Sequence, residues 1–244
     1  MSRTRRNLIL LAGLAGFYGL TRAVPGVYDR LNASFDFEPM DDPPGFRRLR
    51  MGEVSAPFDP FIGVGEAAPD FGSVTLQDFE AALFSGGADA GTVQIAYFSD
   101  FYCPYCRVLS SQLIRVAEET GAQITWHEVP LFGPASELAA RAAIAAGLQG
   151  AYVPFHDRLI KTPVQVTPRF VDRIAQSLGL DVARFAADRD SPAADRALAV
   201  ARALFARFGF IGTPGLVVGR TVVNGAIGPT NLTQLIRLET RDSG

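Results

Sequence analysis

The sequence predicts an α/β domain, a small sheet with helices on its faces that is interrupted by a helical block. Three observations carry this. Val93, Ile95 and Tyr97 alternate over Thr92 to Phe98, a second β-rich run spans Ile124 to Val129, and a segment of helical spacing lies between them. The period is then helical for about eighty residues. Finally, Leu216 to Val218 and Thr221 to Asn224 flank Gly219-Arg220, a two-residue hairpin turn, and a last helix follows from about Asn231 to Arg241.

The 244 residues and 26.2 kDa suit one domain plus appendages. Hydrophobic residues at 48%, charged residues at 20% and a mean hydropathy of +0.15 exclude a disordered or collagen-like chain. A net charge of -2 and a pI of about 5.7 supply no basic field for phosphate, so nucleic acid is set aside as a partner. Lys161 is the sole lysine and the other basic residues are arginines, from which no function is drawn.

At the front, Arg3, Arg5 and Arg6 precede an uncharged run over residues 8–20, after which Arg22, Pro25 and Gly26 break the pattern. This reads as an export signal over residues 1–23, or as an uncleaved anchor that tethers the domain to a membrane. The run is shorter than the ~20 apolar residues of a stable span, and Thr21-Arg22-Ala23 is a poor cleavage site. Thr4-Arg5-Arg6-Asn7-Leu8-Ile9 resembles a twin-arginine signal. Either version places the chain outside the cytoplasm. Without residues 1–22 the net charge falls to -6, since four arginines and no acid leave.

Residues 24–69 are punctuated by seven prolines without a sustained period and read as a spacer or wrapping arm. Phe46, Phe58, Phe61 and Ile62 argue that part of it lies on the domain. The domain proper is expected over 70–244, with the helical insertion at about 134–209. Thr75 and Asp78 open a helix through Leu76, Phe79 and Leu83 that ends at Gly86-Gly87. The strand Thr92 to Phe98 is apolar on both faces and therefore buried. From Cys103 to about Thr120 the apolar residues recur at helical spacing until Gly121. In the block, Ser136 to Ala146 stops at Gly147, Ala151 to Lys161 follows, Thr167-Pro168 caps a helix to Gly179, and Ser191-Pro192 caps another to Gly209.

The two cysteines lie three apart, as Cys103-Pro104-Tyr105-Cys106, at a strand-to-helix junction. A structural disulfide there would close so short a ring that it stabilises by only about 2 kcal/mol, against ~3 for a fifteen-residue loop. Zinc would need two further ligands, and only His127 and His156 exist, far apart and both read as structural. A redox role needs only the pair. Unpaired N–H groups and the helix dipole at the junction favour a thiolate at Cys103, which is both the attacking form and a good leaving group. Cys106, one turn on, is the resolving thiol. Pro104 fits the first turn, and Tyr105 shapes the surface around it.

The stretch Phe98-Ser99-Asp100-Phe101-Tyr102-Cys103-Pro104-Tyr105-Cys106-Arg107 resembles the active-site region of DsbA-like thiol–disulfide oxidoreductases of the thioredoxin superfamily. Pro130-Leu131, Ser136, Ala139, Ala140, Gln149-Gly150 and Phe155-His156-Asp157 resemble the start of the family's helical insertion, and Gly212-Thr213-Pro214 its cis-proline loop. The resemblance runs from about Asp70 to Thr240. It implies a thioredoxin-like fold with a helical insertion, Cys103 as nucleophile, Cys106 as resolving cysteine, and a cis Thr213-Pro214 bond that turns the Thr213 backbone toward a substrate strand.

One position departs from the pattern. Six residues before Cys103, where DsbA has a buried acid, this chain has Tyr97. Asp100 is the nearest acidic candidate for a proton relay, with helix capping or a solvent-facing role as the alternative. Phe101 and Tyr102 are candidates for binding unfolded apolar polypeptide, core packing being the equal alternative for Phe101. Glu128 reads as surface or ladder-end.

The expected function is donation of disulfides to cysteine-containing proteins in the periplasm or another extracytoplasmic space, with a membrane or periplasmic redox partner. No metal or organic cofactor is expected beyond the redox-active Cys103–Cys106 disulfide. The alternatives are a reductase or isomerase of the same fold, a copper(I)-binding thioredoxin-like protein using the two thiolates, and a chaperone independent of the cysteines. Met1, Met40 and Met51, the only methionines, lie outside the expected domain and speak against copper.

Overall fold

The computed structural model describes residues 35–49, 79–84, 91–162 and 165–242. All the elements below lie in the compact unit Asp36–Gly244. The uncharged run at residues 8–20 lies outside the described residues, as do Phe58, Phe61, Ile62, Thr75, Leu76, Asp78 and Gly86-Gly87. No helix among the described residues is long and apolar enough to cross a membrane.

The expected pair of strands is present as β3 (Gln94–Ser99) and β4 (Gln123–Glu128), parallel, with Ile95 opposite Ile124 and Tyr97 opposite Trp126. The hairpin is β5 (Gly215–Val218) and β6 (Thr221–Asn224), and β5 runs antiparallel to β3. Two further strands come from the proline-punctuated segment, β1 (Phe37–Pro39) and β2 (Arg47–Leu49). They form an antiparallel ribbon whose second strand pairs in parallel with β6, giving a six-stranded sheet in the order β1-β2-β6-β5-β3-β4. Residues 36–49 are therefore part of the sheet and not a spacer. Three residues are too few to show a strand period, and Arg47 and Arg48 hide the pattern because their charges are met by the fold. Arg47 donates to Glu239 at 2.7 Å and to Thr221 at 2.8 Å, and Arg48 to the Phe208 carbonyl at 2.7 Å.

The helices are α1 (Phe79–Leu83), α2 (Pro104–Thr120), α3 (Pro134–Gly147), α4 (Tyr152–Ile160), α5 (Pro168–Ser177), α6 (Val182–Arg189), α7 (Pro192–Arg207) and α8 (Pro229–Asp242). On one face of the sheet Ala96, Phe98, Val217 and Val222 pack under Phe46, Leu83, Leu204, Phe205 and Phe208. Against the other face lie α2 and α8, where Leu113 and Leu235 are fully buried. Burying one such leucine is worth about 1.5–3 kcal/mol. Helices α3 to α6 enclose a second core built on Ala139, Ala142, Ala143, Phe155, Val171 and Phe185, the alanines of α3 letting four other helices approach it.

The capping residues read from the sequence act as such. Thr167 accepts from the Phe170 N–H and Ser191 from the Ala194 N–H, bonds typically worth ~1 kcal/mol each. Helix α6 has no apolar period in the sequence to announce it. Asp181 caps it by accepting from the Arg184 N–H, but its only buried residue is Phe185, so it carries no apolar stripe to be detected.

Candidate active site

Strand β3 ends at Ser99, and Asp100, Phe101 and Tyr102 carry the chain to α2. Cys103 is the N-cap of that helix, in extended conformation, and Pro104 occupies its first turn. A side-chain acceptor is favoured at this position because the first N–H groups of a helix have no partner inside it. Here the acceptor is sulfur. The Cys106 N–H donates to Cys103 Sγ at 3.2 Å, and Cys103 Sγ in turn lies 3.2 Å from the Thr213 carbonyl oxygen, which accepts from the thiol. A donor aimed at the sulfur stabilises negative charge on it. The Thr213-Pro214 bond is cis, and Thr213 is buried.

Both cysteines are free thiols and both are buried. Burial, more than any other cause, pushes the Cys106 thiol well above its ordinary value, and the sulfur of Cys103 beside it adds to the effect. The backbone of Asp100 and the Tyr97 hydroxyl act in the opposite direction by hydrogen-bonding to Cys106. Pro104 is exposed and Tyr105 half-buried, so they form the outer lip of the pair.

Three expectations change here. Phe101 is buried at 3% exposure, 4.9 Å from the His156 ring and within the core of the helical block. Tyr102 is half-buried and its hydroxyl accepts the Val166 N–H at 2.9 Å. The segment that joins the strand to α2 runs between sheet and block, so Phe101 packs in the core and does not face a client, while Tyr102 keeps part of its surface exposed. Asp100 neither faces water nor caps α2. Its carboxylate accepts the Tyr102 N–H at 2.7 Å, the Leu131 N–H at 2.6 Å, the Ser136 hydroxyl and the Phe132 N–H. Oδ1 is thus committed to the backbone just before α2 and Oδ2 to the loop before α3 and that helix's first turn, and burial raises the pKa against those bonds.

Glu128 is buried, not at the surface, because it ends β4 on the face that Trp126 presents to Tyr97 and His156. Tyr152 donates its hydroxyl to Glu128 Oε1, and His156 Nδ1 lies 3.6 Å from the same oxygen. His156 Nε2 is 3.1 Å from Ser110 Oγ, Ser110 Oγ is 3.3 Å from the Tyr97 hydroxyl, and that hydroxyl donates to the Cys106 backbone carbonyl at 3.4 Å. Burial raises the pKa of Glu128 and, with the nearby charges, that of Tyr97 and Tyr152 well above their ordinary values. No motif marked this cluster in the sequence. A signal was available in Trp126 and Glu128, two apart on a strand. His127 points to the other face, where Nε2 meets the Leu83 carbonyl at 2.9 Å and the ring stacks on Phe98.

Among the described residues, no three histidine, cysteine, aspartate or glutamate side chains are placed to hold a metal ion. What the site can do is exchange sulfur–sulfur bonds at Cys103, with Cys106 one turn away.

Residues 94–237 match the family described as the DSBA-like thioredoxin domain. A thioredoxin-like oxidoreductase from Silicibacter pomeroyi is 30% identical with a TM-score of 0.61, covering 66% of this chain and 97% of that one. The catalytic domain of Proteus mirabilis ScsC (20% identity, TM-score 0.58, 68% of this chain and 97% of that one) shares the fold. So does the thiol-disulfide exchange protein α-DsbA2 of Wolbachia pipientis (20% identity, TM-score 0.60, 69% and 94%). The Na(+)/H(+) antiporter NhaA 3 of Salinispora tropica is 32% identical over 102 residues, which are 41% of this chain and 16% of the antiporter.

Proposed function

We propose that this chain, which belongs to the DSBA-like thioredoxin domain family, is a thiol–disulfide oxidoreductase that works outside the cytoplasm, donating disulfides to cysteine-containing proteins through Cys103 and Cys106. The observation that carries this reading is the placement of Cys103 Sγ as the cap of α2, where the Cys106 N–H points at it. That placement favours the sulfur as a thiolate, hence as a leaving group, and a disulfide with a good leaving group is readily given away.

In the oxidised pair a client thiolate attacks Cys103 Sγ. The Cys103–Cys106 bond breaks, Cys106 leaves and takes up a proton, and a client–Cys103 mixed disulfide forms. A second client thiolate then attacks the client sulfur of that bond. Cys103 leaves as a thiolate, and two electrons have passed from the client dithiol to the pair. Exchange with a disulfide on a redox partner restores the oxidised state.

Cys103 is fully buried, so attack on its sulfur requires neighbouring groups to move aside. With the thiol hydrogen gone, the Thr213 carbonyl is free to accept from a client strand lying across the site. Ile211, 70% exposed and two residues before Thr213, and Val108, 61% exposed and two after Cys106, offer apolar surface on the two segments that carry the site. Export rests on Arg3, Arg5, Arg6 and the run at 8–20, and such a compartment is kept oxidising.

The test is the reduction potential of the pair, measured on the full chain in graded glutathione buffers with the thiols trapped. A value near the roughly -120 mV of DsbA supports a donor, and one near the roughly -270 mV of thioredoxin makes the chain a reductase. A pair that never cycles refutes the exchange reading.

A further inference from the structure

Strand β4 stands at one end of the sheet, with β3 on one side and, among the described residues, no strand on the other. Gln123 donates its N–H to the Val93 carbonyl at 3.0 Å, and Val129, just past the strand, donates to the Ser99 carbonyl at 2.9 Å, so the odd-numbered residues bond to β3. In a parallel ladder the residues between them turn their N–H and C=O the other way. The Trp126 N–H and C=O therefore face outward. Beside them lies a cavity of about 430 Å³, walled by Trp126, Ala82 of α1, Ile144 of α3, and Arg196, Ala197 and Val200 of α7.

We propose that this groove is a second polypeptide-binding site, which takes an extended segment of another protein along β4, with an apolar residue over Trp126 and an adjacent acidic residue at Arg196. An open strand edge offers both donors and acceptors, and a peptide backbone is the partner that answers both. A fatty acid or an aromatic anion brings no donor for the Trp126 carbonyl. The cavity is lined by β4 from Thr125 to Glu128, which at ~3.3 Å per residue is about 10–13 Å of strand and suits a segment of about four residues.

The side chains select within that class. Trp126 is half-buried, and its ring is held by Tyr97, Tyr152 and His156 at centroid separations of 5.5, 5.4 and 4.5 Å, so the part left open is a firm apolar platform. Arg196 is exposed and makes no ion pair among the described residues, while the Asp195 carboxylate next to it is taken by Arg141 at 2.7 Å. A carboxylate on the incoming segment supplies the missing counterion. Strand β4 turns Trp126 toward α4 and His127 toward α1, and an added strand alternates in the same way, so two residues adjacent in sequence meet the two requirements. Glu128, at the end of β4, pairs with Ser99, four residues before Cys103, which puts the groove and the cysteines at the same end of the sheet.

The experiment titrates the full chain with a blocked, cysteine-free peptide, acetyl-Thr-Leu-Glu-Val-Thr-amide, and reads the fluorescence of Trp126, the only tryptophan of the chain. Calorimetry on the same pair registers binding that leaves the indole unaffected. Saturable binding is expected, weakened about threefold by Arg196→Gln and about tenfold by Arg196→Glu, and the latter variant should prefer the peptide with lysine in place of glutamate. Methylating the leucine and glutamate nitrogens of the peptide removes two consecutive N–H donors, one of which must face β4, and should weaken binding by about tenfold or more. Ala197→Phe, a change at an exposed position of α7, should fill the groove and abolish binding. No saturable binding by either readout overturns the proposal, as does binding indifferent to the charge at Arg196. Decanoate binding as well as the peptide, with methylation of the peptide harmless, makes the groove a pocket for small amphipathic anions and overturns the strand reading. A dimer that Ala197→Phe disperses makes a second copy of this chain the occupant and does the same. The probe contains no thiol, so each of these outcomes leaves the disulfide-exchange reading where it stood.

Discussion

Removal of the Asp100 carboxylate is expected to destabilise the domain more than any change at the lip of the site. Asp100 is 1% exposed, and it is the acceptor for the Tyr102 and Leu131 N–H groups, the Ser136 hydroxyl and the Phe132 N–H. In Asp100→Ala these donors lose their acceptor. An unpaired buried donor costs about 1–3 kcal/mol, but the half-buried backbone of residues 131 and 132 can take up water and Ser136 can rotate, so roughly 4 kcal/mol is expected in total.

Asp100→Asn keeps Oδ1 for Tyr102 and turns an NH2 toward Leu131 and Ser136. The hydroxyl can reverse to accept from it, whereas the Leu131 N–H cannot, so the loss should be about half as large. Ser136→Ala removes one bond and should cost about 1 kcal/mol. Urea unfolding reads the series directly. With m of about 2–3 kcal/mol/M, Asp100→Ala should lower the midpoint by roughly 1–2 M without changing m. A loss under about 1 kcal/mol in Asp100→Ala, or Asn costing as much as Ala, would refute the view that this carboxylate fastens the loop before α3.

Three other expectations are independent of the redox chemistry. Burial lowers His127 from 6.5 to about 4, so between these values the unfolded chain binds a proton that the folded chain refuses; the stability involved is whole above 6.5 and is lost toward pH 4, about 3 kcal/mol in all, and His127→Gln should flatten that part of the pH–stability curve. An unchanged slope in the variant would count against it. A Cβ at Gly215 would stand 2.8 Å from the Phe210 ring, itself buried, so Gly215→Ala should cost about 1–3 kcal/mol in thermal or urea unfolding, and a neutral result would show that the ring can move aside. Glu239, buried at 2% exposure, accepts from Arg47, Thr221 and the Arg220 N–H; Glu239→Ala should speed hydrogen exchange in residues 36–49 before the rest of the sheet, and uniform exchange would contradict its role in holding β2.

Much of this molecule is local in origin. The pattern around Cys103 to Cys106 is a strand running into a helix whose cap is sulfur, and adjacent residues suffice to specify it, so both the pair and its setting were legible. The same holds for the hairpin at Gly219-Arg220, where φ at Gly219 is 54° and a side chain would meet Glu239, and for the caps at Thr167 and Ser191. These features depend on spacings of one to four residues.

What the tertiary structure decided lies at longer range. Three-residue strands at Phe37–Pro39 and Arg47–Leu49 have no period of their own and exist because β6 offers an edge and Glu239 neutralises Arg47. Phe101 read equally as client contact or core, and the helical block makes it core, while Tyr102 stays half-buried with its hydroxyl on the Val166 N–H. Asp100, a candidate proton relay with helix capping or a solvent-facing role as alternatives, is held instead by donors from residues 102, 131 and 136 that no local pattern shows. Tyr97, the residue that broke the family pattern, and Glu128, which read as surface or ladder-end and does end the β3–β4 ladder, belong to one polar cluster with Ser110, Tyr152 and His156. The chain alone determined which sulfurs react and how the helix start prepares Cys103. Which polar groups are buried together behind the pair was set by packing four separate elements, because hydrogen-bond partners drawn from residues 97, 110, 128, 152 and 156 leave no mark on the local sequence of any one of those elements.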